Sequence, residues 1–72
     1  MSTYGEALKY QREINNYSQC QLAKLTGISQ ENISRWEAGT VYPNIDFCVK
    51  LADFYQISLD ELVGRDHGRI NK

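Results

Sequence analysis

Residues 18–39 hold two short stretches with apolar residues at helical spacing, each preceded by a serine and closed by a glycine. No other feature of the chain restricts its fold as much. Ser18 is a natural N-cap, and Gln21 three positions later completes the spacing of a capping box. The helix it starts is predicted over Gln19–Thr26, with Leu22, Ala23 and Leu25 inward and Gly27 as the stop. Ser29 caps a second predicted helix, Gln30–Ala38, whose inner side carries Ile33 and Trp36 and which Gly39 ends.

The same punctuation continues on both sides. Tyr4, Ala7 and Leu8 open an earlier helix that runs through Arg12 and fades at Asn15 and Asn16, residues that tolerate the left-handed conformation of helix ends. After Thr40, Val41, Tyr42 and the single proline, Pro43, Asn44 is a further cap. Cys48, Leu51, Ala52 and Tyr55 follow at i, i+3, i+4 and i+7, the stripe of a fourth helix. Ser58 and Glu61 frame a second capping box before a short fifth helix with Leu59, Leu62 and Val63, closed by Gly64. Strand-like alternation is absent. The expected fold is all-α, with five short helices in residues 1–64 and a polar, frayed tail over 65–72.

With 72 residues the chain makes one small domain. It buries about 60% of the surface its unfolded form exposes, too little for most enzyme scaffolds with a walled pocket. No apolar run approaches the ~20 residues of a membrane span. Cys20 and Cys48 are too few and too far apart for a disulfide framework or a zinc site, which suits a reducing cytoplasm. His67 is a lone histidine in the tail, and no nucleophile–base pair, metal-spaced ligand set or phosphate loop is present, so neither enzyme nor cofactor is expected. Net charge is −1, with the acidic excess in the later helices (Asp46, Asp53, Asp60 and Glu61 against Lys50) and a neutral first forty residues.

Residues 19–36 are the specific part. Two short helices meeting across a turn that contains glycine form a helix-turn-helix. Ala23 is small where the second helix must cross close to the first, and Gly27 supplies the positive φ of the turn. Ile28, Ile33 and Trp36 fill the wedge beside Leu22. The run SQCQLAKLTGISQENISRWEAG, with Pro43-Asn44 and Ile57-Ser58-Leu59-Asp60-Glu61-Leu62 later, resembles the Cro/repressor-type (XRE) helix-turn-helix family over roughly residues 4–64. The resemblance implies a lambda repressor-like five-helix domain that binds double-stranded DNA with the second motif helix in the major groove. That groove admits a helix and displays a distinct donor and acceptor pattern for each base pair.

The resemblance also assigns residues. Gln30, Glu31 and Asn32, with Arg35 one turn on, are the expected base readers: Gln and Asn suit adenine, Arg guanine, and Glu the cytosine amino group. Gln19, Ser34 and Thr40 are expected at phosphates. Arg12 and Glu37 occupy positions that form an interhelix salt bridge in relatives. Phe54, Gln56 and Ile57 are candidates for a homodimer interface, because relatives pair through the region after the fourth helix and the chain is rich in aromatics. Where many relatives carry Lys or Arg in the loop 39–44, this chain has Thr40, Val41 and Tyr42, so weak non-specific DNA affinity and a shallow salt slope are expected. The leading expectation is a homodimeric repressor of phage or mobile-element type on a palindromic operator. The alternatives are an antitoxin or restriction-control regulator working with a protein partner, and an interaction module that has lost DNA binding.

Overall fold

The computed structural model describes residues 3–65. Five helices follow one another: α1 Tyr4–Ile14, α2 Gln19–Thr26, α3 Gln30–Ala38, α4 Ile45–Tyr55 and α5 Leu59–Val63. Each begins at a side chain that accepts from the backbone N–H three residues on: Thr3, Ser18, Ser29, Asn44 and Ser58. Reciprocal capping boxes form at Thr3–Glu6, Ser18–Gln21 and Ser58–Glu61. Such bonds satisfy amide protons that the first turn of a helix leaves without partners. Gly27 closes α2 at φ 77°, where a Cβ would be strained. Gln56 does the same for α4 at φ 59°, and Asn16 turns the chain at φ 65° after α1.

The core contains Leu8 from α1, Leu22 from α2, Ile33 and Trp36 from α3, Cys48, Leu51 and Ala52 from α4, and Leu62 from α5, with Ile28 from the turn. Leu62 is fully buried. Burying side chains of this size contributes about 1.5–3 kcal/mol each, and in a small domain these few residues carry most of it. Phe47 lies against Trp36 with ring centroids 5.2 Å apart. The first and last helices pack on each other, and α1 also packs on α3. At the α1–α3 crossing Gly5 is so close to α3 that a Cβ there would stand 2.6 Å from the Glu37 carbonyl oxygen and 2.7 Å from that of Trp36.

One expectation about packing changes. Leu25, expected inward, is 58% exposed. At about 100° per residue the buried face of α2 is centred between Leu22 and Thr26, which leaves Leu25 on the far side of Leu22. Thr26 takes the inward place because its hydroxyl is satisfied locally, donating to the Leu22 carbonyl at 2.7 Å and accepting from Ile28 N at 3.2 Å. The aromatic surplus is divided between surface and core. Tyr10 and Tyr42 are exposed, whereas Tyr17 and Phe54 are half-buried against the core and each other, with centroids 5.7 Å apart. The tail expected at 65–72, His67 included, lies outside the described residues beyond Arg65. Among the described residues no helix is long and apolar enough to cross a membrane.

Candidate nucleic-acid interface

The α2–turn–α3 unit fixes one helix by its two ends. At the start of α3, Gly27 and the buried Ile28 set the turn and the Ser29 hydroxyl accepts from Asn32 N at 3.2 Å. At its end Gly39 adopts φ 80°, and the Thr40 hydroxyl and N–H both donate to the Arg35 carbonyl at 3.1 Å. The loop beyond is tied to α1: the Tyr4 hydroxyl donates to the Val41 carbonyl at 2.7 Å, and the Tyr4 and Tyr42 rings stand 4.5 Å apart. Burial and the neighbouring Tyr42 raise the pKa of the Tyr4 phenol, so the donor stays protonated at neutral pH.

Held in this way, α3 turns Ile33 and Trp36 into the core and leaves a polar outer face. Gln30, Glu31, Ser34 and Arg35 are exposed and Asn32 is half-buried. Among the described residues the side chains of Gln30, Asn32 and Ser34 have no partner, which leaves their donor and acceptor capacity available. Glu31 and Arg35 instead form an ion pair one turn apart, with Nη2 donating to Oε2 at 2.9 Å.

Behind this face lies a buried network. Arg12 presents Nε to Glu37 Oε2 at 2.7 Å and Nη2 to Oε1 at 2.8 Å, a two-pronged pairing, while Nη1 donates to the Tyr17 carbonyl at 2.8 Å. The two side chains are 10% and 6% exposed. The bond to Glu37 raises the Arg12 pKa further above its ordinary value, so the guanidinium is charged at every accessible pH. Gln19 Nε2 donates to the same Glu37 Oε1 at 3.1 Å. The network therefore joins α1, α3 and the first residue of α2, and fixes the two motif helices against the rest of the domain.

Of the residues expected at phosphates, Ser34 has no side-chain partner among the described residues, whereas Gln19 is held through its amide nitrogen and Thr40 uses its hydroxyl proton inside the protein. Gln19 still has its amide oxygen and one N–H available. Phe54 and Ile57 rest on the core and Gln56 is exposed as the α4 cap. Cys48 is buried, and that burial raises its thiol pKa, which makes it a poor nucleophile. Cys20 is exposed on α2. The tie from Tyr4 to Val41 is a feature the sequence did not announce, because it joins residues far apart in the chain.

Comparison with known proteins agrees with this geometry. The family described as Helix-turn-helix matches residues 8–62. The chain is 42% identical over 60 residues to the cryptic phage CTXphi transcriptional repressor RstR of Vibrio cholerae, covering 83% of this chain and 54% of that protein. It is 35% identical to the HTH-type transcriptional activator BcrR of Enterococcus faecalis, over 83% of this chain and 29% of the relative. The chain thus spans about half the length, or less, of these curated relatives. Among solved structures, the P22 c2 repressor in complex with a synthetic operator superimposes with a TM-score of 0.81 at 30% identity, covering 92% of this chain and all of the other. On its sequence match and on its fold, this chain belongs to the Cro/repressor-type helix-turn-helix family of transcriptional regulators.

Proposed function

We propose that the chain is a cytoplasmic, sequence-specific DNA-binding repressor that acts as a homodimer on a palindromic operator of phage or mobile-element type. The observation that carries this reading is the outer face of α3, where Gln30 and Asn32 have no side-chain partner among the described residues and Arg35 is exposed on a helix capped and braced at both ends. Side chains of these kinds on a rigid helix match the donor and acceptor patterns of the major groove, and each good bidentate pair is worth about 1–3 kcal/mol of discrimination. Support comes from the P22 c2 repressor, whose solved structure contains an operator, and from RstR, a phage repressor.

In this reading Gln30, Glu31, Asn32 and Arg35 face bases, while Ser34 and the remaining amide N–H of Gln19 meet phosphates, and Thr40 does so by turning its hydroxyl away from the Arg35 carbonyl. Phe54, Gln56 and Ile57 border the partner subunit. A two-fold dimer sets its recognition helices about 34 Å apart, on half-sites roughly 10 base pairs apart. Repression follows from occupancy of a promoter and requires neither catalysis nor a cofactor.

Selection of sites from a random duplex pool at about 100 mM salt tests the proposal. The expected result is an enriched palindrome with that spacing, bound at least tenfold more weakly by Arg35→Ala. Folded protein that enriches no sequence overturns the stand-alone repressor. One observation favours a second reading, regulation together with a protein partner: Val41, Tyr42 and Ile45 are exposed apolar residues where a basic loop would strengthen DNA binding.

A further inference from the structure

The ion pair on α3 has a consequence for how sequence is read, which rests on the DNA-binding proposal. We propose that Glu31 is a specificity-determining residue that acts through Arg35, holding its guanidinium in one orientation for guanine and cancelling its charge. The carboxylate takes one of the two Nη2 protons at 2.9 Å, and among the described residues the second Nη2 proton, Nε–H and Nη1–H have no partner, so Nη2 can still pair with Nε or Nη1 as a fork for guanine O6 and N7. Its other oxygen, Oε1, is also unoccupied and can accept from a cytosine amino group.

The pair has little structural use beyond placing Glu31 in the first turn of α3 and Arg35 in its last, where the charges complement the helix dipole. With Glu31 72% and Arg35 53% exposed it lies outside the core, and an exposed pair of this spacing adds little to stability. The remaining acid of α3, Glu37, is turned inward onto Arg12. Glu31 and Arg35 are therefore the charged groups of the outer face, and paired they sum to zero. A phosphate on random DNA meets no net charge there. At the operator the directional bonds of the fork to a base are gained without releasing Glu31. The pair trades general affinity for discrimination, since an attraction shared by every site cannot tell one from another.

The test measures affinity for the selected operator and for a random duplex between 50 and 200 mM salt, using wild type, Glu31→Gln, Arg35→Ala and the double variant, each shown to be folded by thermal melting. Glu31→Gln frees one cation for phosphate. The salt slope on random duplex then steepens by about 0.9, which at 0.1 M corresponds to roughly eightfold tighter binding. Operator affinity does not rise in step, so the ratio of operator to random binding falls at least fivefold. In the Arg35→Ala background the substitution changes neither slope nor ratio. The inference is overturned if Glu31→Gln tightens both duplexes equally, leaves the ratio within twofold, or acts as strongly without Arg35. Wild type that binds no duplex at all overturns the underlying DNA-binding proposal instead, a result distinct from these.

Discussion

Replacing Glu37 by Gln is the most informative perturbation of the buried network. The change is nearly isosteric, yet it removes the charge that compensates the Arg12 guanidinium, and Arg12 is 8% exposed. The carboxamide oxygen still accepts one prong of the fork. Its NH2 then confronts a second guanidinium N–H at the 2.7–2.8 Å separations of the present pairing, where two donors repel. Breaking one side of a buried pair costs about 3–5 kcal/mol. A domain of 72 residues has in total about 4–11 kcal/mol, at roughly 0.05–0.15 kcal/mol per residue. Glu37→Gln should therefore remove about a quarter or more of the stability and lower the melting temperature by at least about 12 °C. Urea titration followed by fluorescence reads this directly, because the one tryptophan, Trp36, is buried beside Glu37 in sequence. The double variant Arg12→Met/Glu37→Met completes the cycle. Removing both charges should return the protein to within about 2 kcal/mol of wild type, the residual cost being the Tyr17 carbonyl that loses its donor and the half-buried Gln19 amide that loses its acceptor. A loss below about 1 kcal/mol for Glu37→Gln, or a double variant as unstable as the sum of its singles, would refute the reasoning.

Two further substitutions test the packing around this network. Gly5→Ala should destabilise by about 1–3 kcal/mol, although in an unobstructed helix it would stabilise by about 1 kcal/mol, because its Cβ meets two backbone carbonyls of α3; a rise in the urea midpoint would contradict the close approach. Tyr55→Phe should leave stability at pH 7 unchanged or raise it by up to about 1 kcal/mol, since the buried Tyr55 hydroxyl has no hydrogen-bond partner among the described residues. Burial also pushes the Tyr55 phenol up to about 12 from 10.0. Its contribution is complete below pH 10 and declines as pH rises towards 12, because the unfolded phenol ionises first. Urea midpoints measured from pH 9 to 12 should fall less steeply in Tyr55→Phe, with the raised Tyr4 keeping part of the decline; identical slopes would show that Tyr55 does not titrate late.

Helix boundaries were legible because caps act within three residues of chain. Ser18 with Gln21, Ser29, Asn44 and Ser58 with Glu61 each announce a start, and Gly27, Gly39 and Gly64 each announce a stop. The Thr3 cap also acts locally but stands ahead of any apolar periodicity that would direct attention to it. Facing was harder in α2, where eight residues give barely two turns and a threonine with a locally satisfied hydroxyl displaces Leu25 from the inner side. Contacts at long separation had no local signal: Tyr4 to Val41, Gln19 to Glu37 and Gly5 against α3 follow from the way the helices cross. The Glu31–Arg35 pair is a different case. Its i,i+4 spacing is visible in the sequence, but base-contact rules apply to residues singly, and the mutual bond changes what each can do alone.

The packing of α1 on α5 sets an order of events during synthesis. Leu62, the most deeply buried side chain, belongs to the last helix and meets a core that Leu8 of the first helix also lines. A nascent chain that has emerged only as far as α4 leaves α1 without its final neighbour and the apolar faces of Leu8, Leu22 and Leu51 open to water. The motif helices can form early, since their caps are local, but they cannot be locked until residue 62 has cleared the ribosome. At about 5–20 residues per second that interval lasts seconds. Competence to dock on a partner should therefore appear abruptly at the end of translation of this segment rather than grow with chain length.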